Sequence, residues 1–380
     1  MKTCGSMRAA GVAGFTILEL LVSCAVLMLV MVVMLQVTGE VGKIWRSGSG
    51  KIGAFQGARM AFGAMTRTLS RATLNTYNDY YDDARKEFRT ATANATVFKP
   101  TRFSRASELH FVSGPAAALV PGASSATSPG GCVFFQAPMG QSDEADLQGL
   151  GRMLNSVGYF IEYAKPDTAL MPAWLSGLFG SEYRFRLVQV VVPSESLQVY
   201  DSTATTGYDL NWLDAFTVPR QPSAPRFRVL ADDVSLLVFR PRLSPQGEQD
   251  AAAKLGVPYD PAHPGGMLSP NYHYDSRAWE NGYTGGIATP TPERSKLMQN
   301  QIPPIVDVAM ICLDRQSLGR FDLSNATPPS ELAVPPGLFT DATKFSDDLT
   351  TYSNQLNAAG IRHRIMQTSV QLQGAKWSAN

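Results

Sequence analysis

Gly14-Phe15-Thr16-Ile17-Leu18-Glu19-Leu20-Leu21-Val22 opens the stretch whose reading decides the architecture, and it continues as an apolar segment to about Val37. From Leu20 to Leu35 there is no charge and no proline. Counted from Phe15, the segment supplies the roughly 20 residues that a helix needs to cross the hydrocarbon core of a bilayer. The sequence therefore predicts a membrane-spanning helix over 15–37. Glu19 is the exception within it. An ionisable side chain inside a spanning helix costs at least ~2.5–3.5 kcal/mol, which marks it as a functional group awaiting a partner.

A Gly, then Phe-Thr, two apolar residues, a Glu and a long apolar run resemble the N-terminus of type IV pilin-like proteins, the prepilins and the pseudopilins of type II secretion. That resemblance implies that a prepilin peptidase cuts after Gly14, that Phe15 becomes the N-methylated first residue, and that Glu19 pairs with the N-terminal amine of a neighbouring subunit. The physics of the pairing is sound. An ammonium and a carboxylate, each costly alone in lipid, neutralise one another there.

Other readings compete. An ordinary secretory signal needs small residues after its apolar core, and Val37-Thr38-Gly39-Glu40 fits poorly. Leu21-Val22-Ser23-Cys24 resembles a lipoprotein cleavage box, but more apolar chain follows Cys24 where a polar tether belongs. A plain uncleaved anchor explains the length but neither Glu19 nor Gly14-Phe15.

The chain has 380 residues, 44% of them hydrophobic, and a formal net charge of +1. That is enough for one large or two modest domains outside the membrane. The near-neutral balance supplies no basic face for phosphates and argues against nucleic acid as a partner. Residues 1–14 form a leader carrying Lys2 and Arg8, which the positive-inside rule keeps cytoplasmic. Lys43, Arg46 and Lys51 follow the span, so orientation rests mainly on the motif. Ile52, Phe55, Ala58, Phe62, Met65, Leu69 and Ala72 recur at steps of three and four, which predicts an amphipathic helix over 38–74 continuing the span. Gly39, Gly42, Gly48, Gly50 and Gly53 weaken its middle, each by about 1 kcal/mol relative to Ala. They predict a bend or melted turn, or a linker between two helices.

Residues 75–380 read as a β-rich head. Strands are predicted near Glu108–Val112, Cys132–Gln136, Val157–Tyr163, Tyr183–Val192, Val234–Arg240, Ile305–Leu313 and Arg364–Leu372, between Pro- and Gly-rich connections. Tyr183, Phe185 and Leu187 alternate with Arg184, Arg186 and Gln189, suggesting sheets with one wet face. Tyr77 to Asp83 reads as an acidic turn, and the spacing of its three Asp fits no known cation-binding loop. The connections over 115–131 and 244–304 are long enough to be contact surfaces or mobile decoration. One late helix is expected, capped by Ser346 and terminated by Gly360.

A long N-terminal helix before an antiparallel α+β head resembles the larger minor pseudopilins, those of the J type. More narrowly, Ala231 to Val238, Tyr272-His273-Tyr274-Asp275-Ser276-Arg277, Val306-Asp307-Val308-Ala309-Met310 and Gly374-Ala375-Lys376-Trp377-Ser378 resemble the Verru_Chthon cassette prepilin-like proteins, protein C type.

Four cysteines sort by position: Cys4 in the leader, Cys24 in the span, and Cys132 and Cys312 in predicted strands. The last two permit a disulfide in an oxidising compartment if their Cα atoms lie within about 7 Å, or else two buried thiols. No CxxC pair points to zinc. Gly50-Lys51 lacks the glycine and hydroxyl residue of a phosphate loop, having Trp45 and Ile52 at those places. No Gly-x-Ser-x-Gly elbow or His-Glu-x-x-His pair occurs, and His110, His263, His273 and His363 show no ligand spacing. His263 and His273 near Asp260 and Asp275 leave a metal conceivable, with a solvated loop the better reading.

The expectation is a structural, non-enzymatic subunit without cofactor or metal. It would sit in the inner membrane as a single-pass protein with a periplasmic head. Its partners would be a prepilin peptidase, other pilin or pseudopilin subunits, the inner-membrane assembly platform and lipid, and its large head favours a minor place in a pilus or pseudopilus. The alternative is a membrane-anchored periplasmic domain with binding or enzymatic activity.

Overall fold

The computed structural model describes residues 17–85, 87–89, 96–147, 149–166, 182–200, 211–218, 227–277 and 291–376. The chain divides into two units, residues 1–53 and 54–380. The first helix, α1, is assigned over Ile17–Leu69. It includes Gly39, Gly42, Gly48, Gly50 and Gly53, so helical backbone persists where the glycines predict a melted turn. Its apolar part is Ile17–Thr38; the second unit holds its last turns together with all the described strands.

Those strands build three antiparallel sheets. A small one orders β2–β1–β3, from Glu87–Phe88, Tyr77–Asp82 and Arg102–Ala106. The six-stranded central sheet orders β10–β4–β5–β6–β7–β8, from Tyr274–Asp275, Val112–Pro115, Gly131–Pro138, Leu154–Ala164, Arg184–Val192 and Phe227–Asp232. The third orders β12–β11–β9, from His363–Gln371, Ile305–Leu313 and Val234–Arg242. Asp233 alone separates β8 from β9. It turns the chain from one sheet into the next at φ 58°, a left-handed conformation that Asp tolerates better than most residues.

Side chains alternate across a strand, and the central sheet is apolar on both faces. Val133, Phe135 and Ala137 of β5 enter one core, while Cys132 and Phe134 enter another. The first core takes the α1 stripe Ala58, Ala61, Phe62, Met65 and Leu69, the β9 and β11 side chains, and Phe345, Leu349, Tyr352 and Leu356. The second is closed by Leu119, Val120, Trp212, Leu213 and Phe216. A wet face on β7 is therefore not found. Arg186 is buried on an ion pair of 3.3 Å to its cross-strand partner Asp232, and Gln189 donates to the Tyr159 hydroxyl at 2.6 Å.

Helix α1 ends at Leu69, earlier than its apolar pattern implies. Arg71 N and Ala72 N donate three residues back, tightening the last turn, and Thr73 N then bonds to Gln136 O of β5 at 3.0 Å. The sheet captures the chain there. Short helices α2 (Ala116–Leu119) and α5 (Arg315–Leu318) interrupt connections, and α3 (Pro245–Leu255) and α4 (Pro292–Met298) occupy the stretch whose composition predicts a long loop. Both α3 and α4 begin on a hydroxyl cap followed by Pro, Ser244 accepting from Gly247 N and Thr291 from Arg294 N. The late helix α6 spans Phe345–Ala358 and gives way to Gly360 at φ 65°. Ser346 does not cap it. A 3-10 turn over Ala342–Lys344, capped by Asp341, feeds straight into the helix.

Gly158 of β6 lies beneath Phe134 and Phe216. A Cβ there would stand 2.6 Å from one ring and 2.7 Å from the other. Gly158→Ala is expected to destabilise the 54–380 unit by roughly 1–3 kcal/mol through overpacking, read as a lowered midpoint in denaturant unfolding of the full chain.

Candidate functional site

Ile17–Thr38 is a helical segment of 22 residues whose most apolar stretch of 18 has a mean hydropathy of 2.8 and is wholly unburied. At 1.5 Å per residue it is about 33 Å long, the thickness of a bilayer's hydrocarbon core. Its hydroxyls are satisfied within the helix: Ser23 Oγ donates to Glu19 O and Thr38 Oγ1 to Met34 O, both at 2.7 Å. Glu19 lies in the first turn, and Cys24 is a free, exposed thiol. Gly14 and Phe15 lie outside the described residues. A contiguous apolar surface of this extent is foreign to water-exposed protein and suits lipid or another apolar helix.

Two buried polar clusters stand out among the described residues of the second unit. His110, just ahead of β4, has no exposed surface. Trp212 Nε1 donates to its Nδ1 at 3.0 Å, and its Nε2 lies 2.7 Å from Asp275 Oδ1. An indole N–H can only donate. Nδ1 is therefore the acceptor, Nε2 carries the proton, and the ring is neutral. Burial pushes His110 below the usual imidazole range, against the opposing pull of Asp275. With both nitrogens engaged by protein groups, this imidazole serves as a strut from the cover of the second core to the sheet edge. Beside it, His110 N donates to Gln136 Oε1 at 2.8 Å, and Phe111 N and O bond Ser276.

The other cluster centres on Asp307 of β11. Its cross-strand partners are Arg240 on β9 and Ser369 on β12. Arg240 Nη2 reaches Asp307 Oδ2 at 2.6 Å, Arg242 Nε the same oxygen at 2.7 Å, and Ser369 Oγ donates to Oδ1 at 2.6 Å. Arg240 Nη1 also donates to Pro264 O and Ala342 O, and its guanidinium lies 4.3 Å from the Phe345 ring centroid. Burial works to raise the Asp307 pKa, but the bonds from Arg242, Ser369 and Arg240 outweigh it and hold the carboxyl below its usual range.

The remaining sequence candidates fall apart in space or into local roles. Cys132 and Cys312 are free thiols buried in the second and first cores respectively, so the disulfide is not formed. Tyr77 to Asp82 is a strand rather than a turn, and its acids serve the protein. Asp82 accepts from Ala84 N, Arg85 N and Lys99 N, while Asp83 pairs with Arg102 at 3.0 Å. His263 meets only Asp260 of the conceivable metal set, at 2.6 Å on the surface, whereas Asp275 belongs to His110. No group of three metal-ligating side chains occurs among the described residues.

His110 and Trp212 are invisible to motif reasoning because 102 positions separate them. A signal does exist for Asp307, an acid inside the strand-like apolar run Ile305–Leu313.

Two outcomes follow from these clusters. Asp307→Ala strands two arginines and is expected to cost roughly 3–5 kcal/mol of stability in chemical denaturation. Burial lowers the pKa of both His110 and His273. The unfolded chain therefore takes up protons first, and the stability they contribute is complete above about pH 6.5 and lost as pH falls from there through their folded values. Denaturation midpoints measured from pH 8 down to 5 are expected to hold and then decline. In comparisons with protein-family models, curated proteins and solved structures, nothing matches this chain.

Proposed function

We propose that the chain is a prepilin-like structural subunit, cleaved after Gly14, N-methylated on Phe15, held in the inner membrane by its apolar helix, and drawn into a pilus or secretion pseudopilus as a minor component. The observation that carries this reading is the exposed apolar helix Ile17–Thr38 with Glu19 in its first turn, directly after Gly14-Phe15-Thr16. An anchor alone gains nothing from an acid at that depth, and a carboxylate there is costly without a cation. The amine created by cleavage supplies one. On assembly, Glu19 of one subunit meets the Phe15 amine of its neighbour, and each charge removes the other's desolvation cost. The helix faces then pack on each other in place of lipid. A head of this size obstructs dense repetition, which favours a tip or another minor position.

The test is intact-mass and N-terminal analysis of membrane-extracted protein, expressed with and without a prepilin peptidase. A chain starting at N-methyl-Phe15 only when the peptidase is present is the expected result. A chain still starting at Met1, or at a lipidated Cys24, overturns the reading in favour of an anchored domain. Glu19→Val is expected to leave cleavage intact and abolish or misregister incorporation into filaments, scored by shearing and immunoblotting.

A further inference from the structure

Most margins of the three sheets are closed. Strands β2 and β10 are two residues long, and β9 is buried nearly along its whole length. The pairing of β8 with β7 slips between Leu187 and Val188, and Arg105 O on β3 accepts from the side chains of Gln299 at 3.3 Å and Asn300 at 2.6 Å. Strand β12 differs. It is the margin of its sheet over nine residues, His363–Gln371, and pairs with β11 along all of them without a slip.

The phase of that ladder shows what β12 presents on its other side. Asp314 N donates to Arg362 O and Leu372 N to Pro304 O, both continuing the β11–β12 register. In an antiparallel pair alternate residues bond to the same neighbour. Arg364, Met366, Thr368 and Val370 therefore bond to β11, and the backbone N–H and C=O groups of Ile365, Gln367, Ser369 and Gln371 point away from it. Among the described residues no other backbone group bonds to these, and all four residues are exposed. Such a row is a template for another strand, and proteins blunt it with Lys, Pro or a bulge. Strand β12 has none of the three. It has no acidic residue either, and Arg364 at one end is its one permanent charge.

The strand's own chemistry selects its occupant. A twofold axis at Gln367 sets two copies of β12 antiparallel with outward groups facing outward groups: Ile365 opposite Ser369, Gln367 opposite Gln367, and His363 opposite Gln371. Between them Arg364 falls opposite Val370 and Met366 opposite Thr368. No charge meets its like, apolar Ile365 and Met366 lie near one another along the shared ladder, and the paired Gln367 amides supply both donor and acceptor. We propose that β12 is a self-association edge, at which two copies of this chain join their β12–β11–β9 sheets into one continuous sheet about a twofold axis through Gln367. The pairing uses only residues of the 54–380 unit, so it does not depend on how the N-terminus is processed.

The test is sedimentation velocity of the full chain in density-matched non-ionic detergent, over roughly 1–100 µM. The parent is expected to pass from monomer to dimer across that range. Gln367→Lys and Gln367→Glu each set like charges directly opposite one another and should weaken association about fivefold or more, while an equal mixture of the two restores it. Gln367→Pro removes only an outward N–H, so it should keep the parent's unfolding midpoint and lose the dimer. A parent that stays monomeric throughout, association unchanged in the three variants, or a Lys/Glu mixture that associates no better than either variant alone overturns the proposal.

Discussion

A sheet that is apolar on both faces must be covered twice, and the organisation of residues 54–380 answers that requirement. Strands β5, β6 and β7 send alternate side chains into two cores. One face receives the last turns of α1 and the second three-stranded sheet; the other receives a 3-10 turn over Asn211–Phe216 and the short helix α2. Removing either cover would expose a continuous apolar surface to water, at about 25 cal/mol for each Å². The corner at Asp233 makes the arrangement possible, because it moves the chain from the rim of the first sheet into the second within a single residue.

The two buried polar clusters then fix how these layers register. Apolar packing tolerates sliding; directional bonds do not. Arg240, Asp307 and Ser369 occupy matched positions on three adjacent strands, so a slip of one residue in either pairing would separate them and turn their side chains to the other face. His110 does the same for the second core, where Trp212 and Asp275 approach it from distant parts of the chain. A neutral imidazole suits that role, since it offers one donor and one acceptor without a charge to bury.

Legibility in the sequence follows the reach of each signal. Strand β11 is readable to the residue because an apolar run broken only by Asp307, between Pro304 and Asp314, is a local pattern, and the α1 stripe is equally local. The faces of β7 are not. Arg186 and Gln189 look solvated until Asp232 and Tyr159, far off in the chain, come to pair with them. Strand β1 hides behind Asp79, Asp82 and Asp83, which local statistics assign to turns; Arg89, the turn after β1 and Arg102 satisfy them in the fold. The Pro-rich stretch after Leu243 conceals α3 and α4, although Ser244-Pro245 and Thr291-Pro292 are ordinary helix starts. For the candidate sites, Glu19 stands out from the motif alone, whereas the cluster of His110, Trp212 and Asp275 is assembled from distant parts of the chain and has no linear signature.

The last described residues carry a consequence for how the chain comes to be folded. After β12, Gln373 N bonds to Ser70 O at 2.9 Å, and Gly374 lies so close to Ala72 that a Cβ would meet its carbonyl oxygen at 2.8 Å. The two ends of the 54–380 unit are thus buckled to each other, with β12 completing its sheet at the same moment. Contacts between the first and last parts of a chain form late in vectorial synthesis. The early turns of this unit must wait, with one face uncovered, until β12 and Gly374 have been delivered. Closure of this unit is in this way a report that the chain has been made through Gly374.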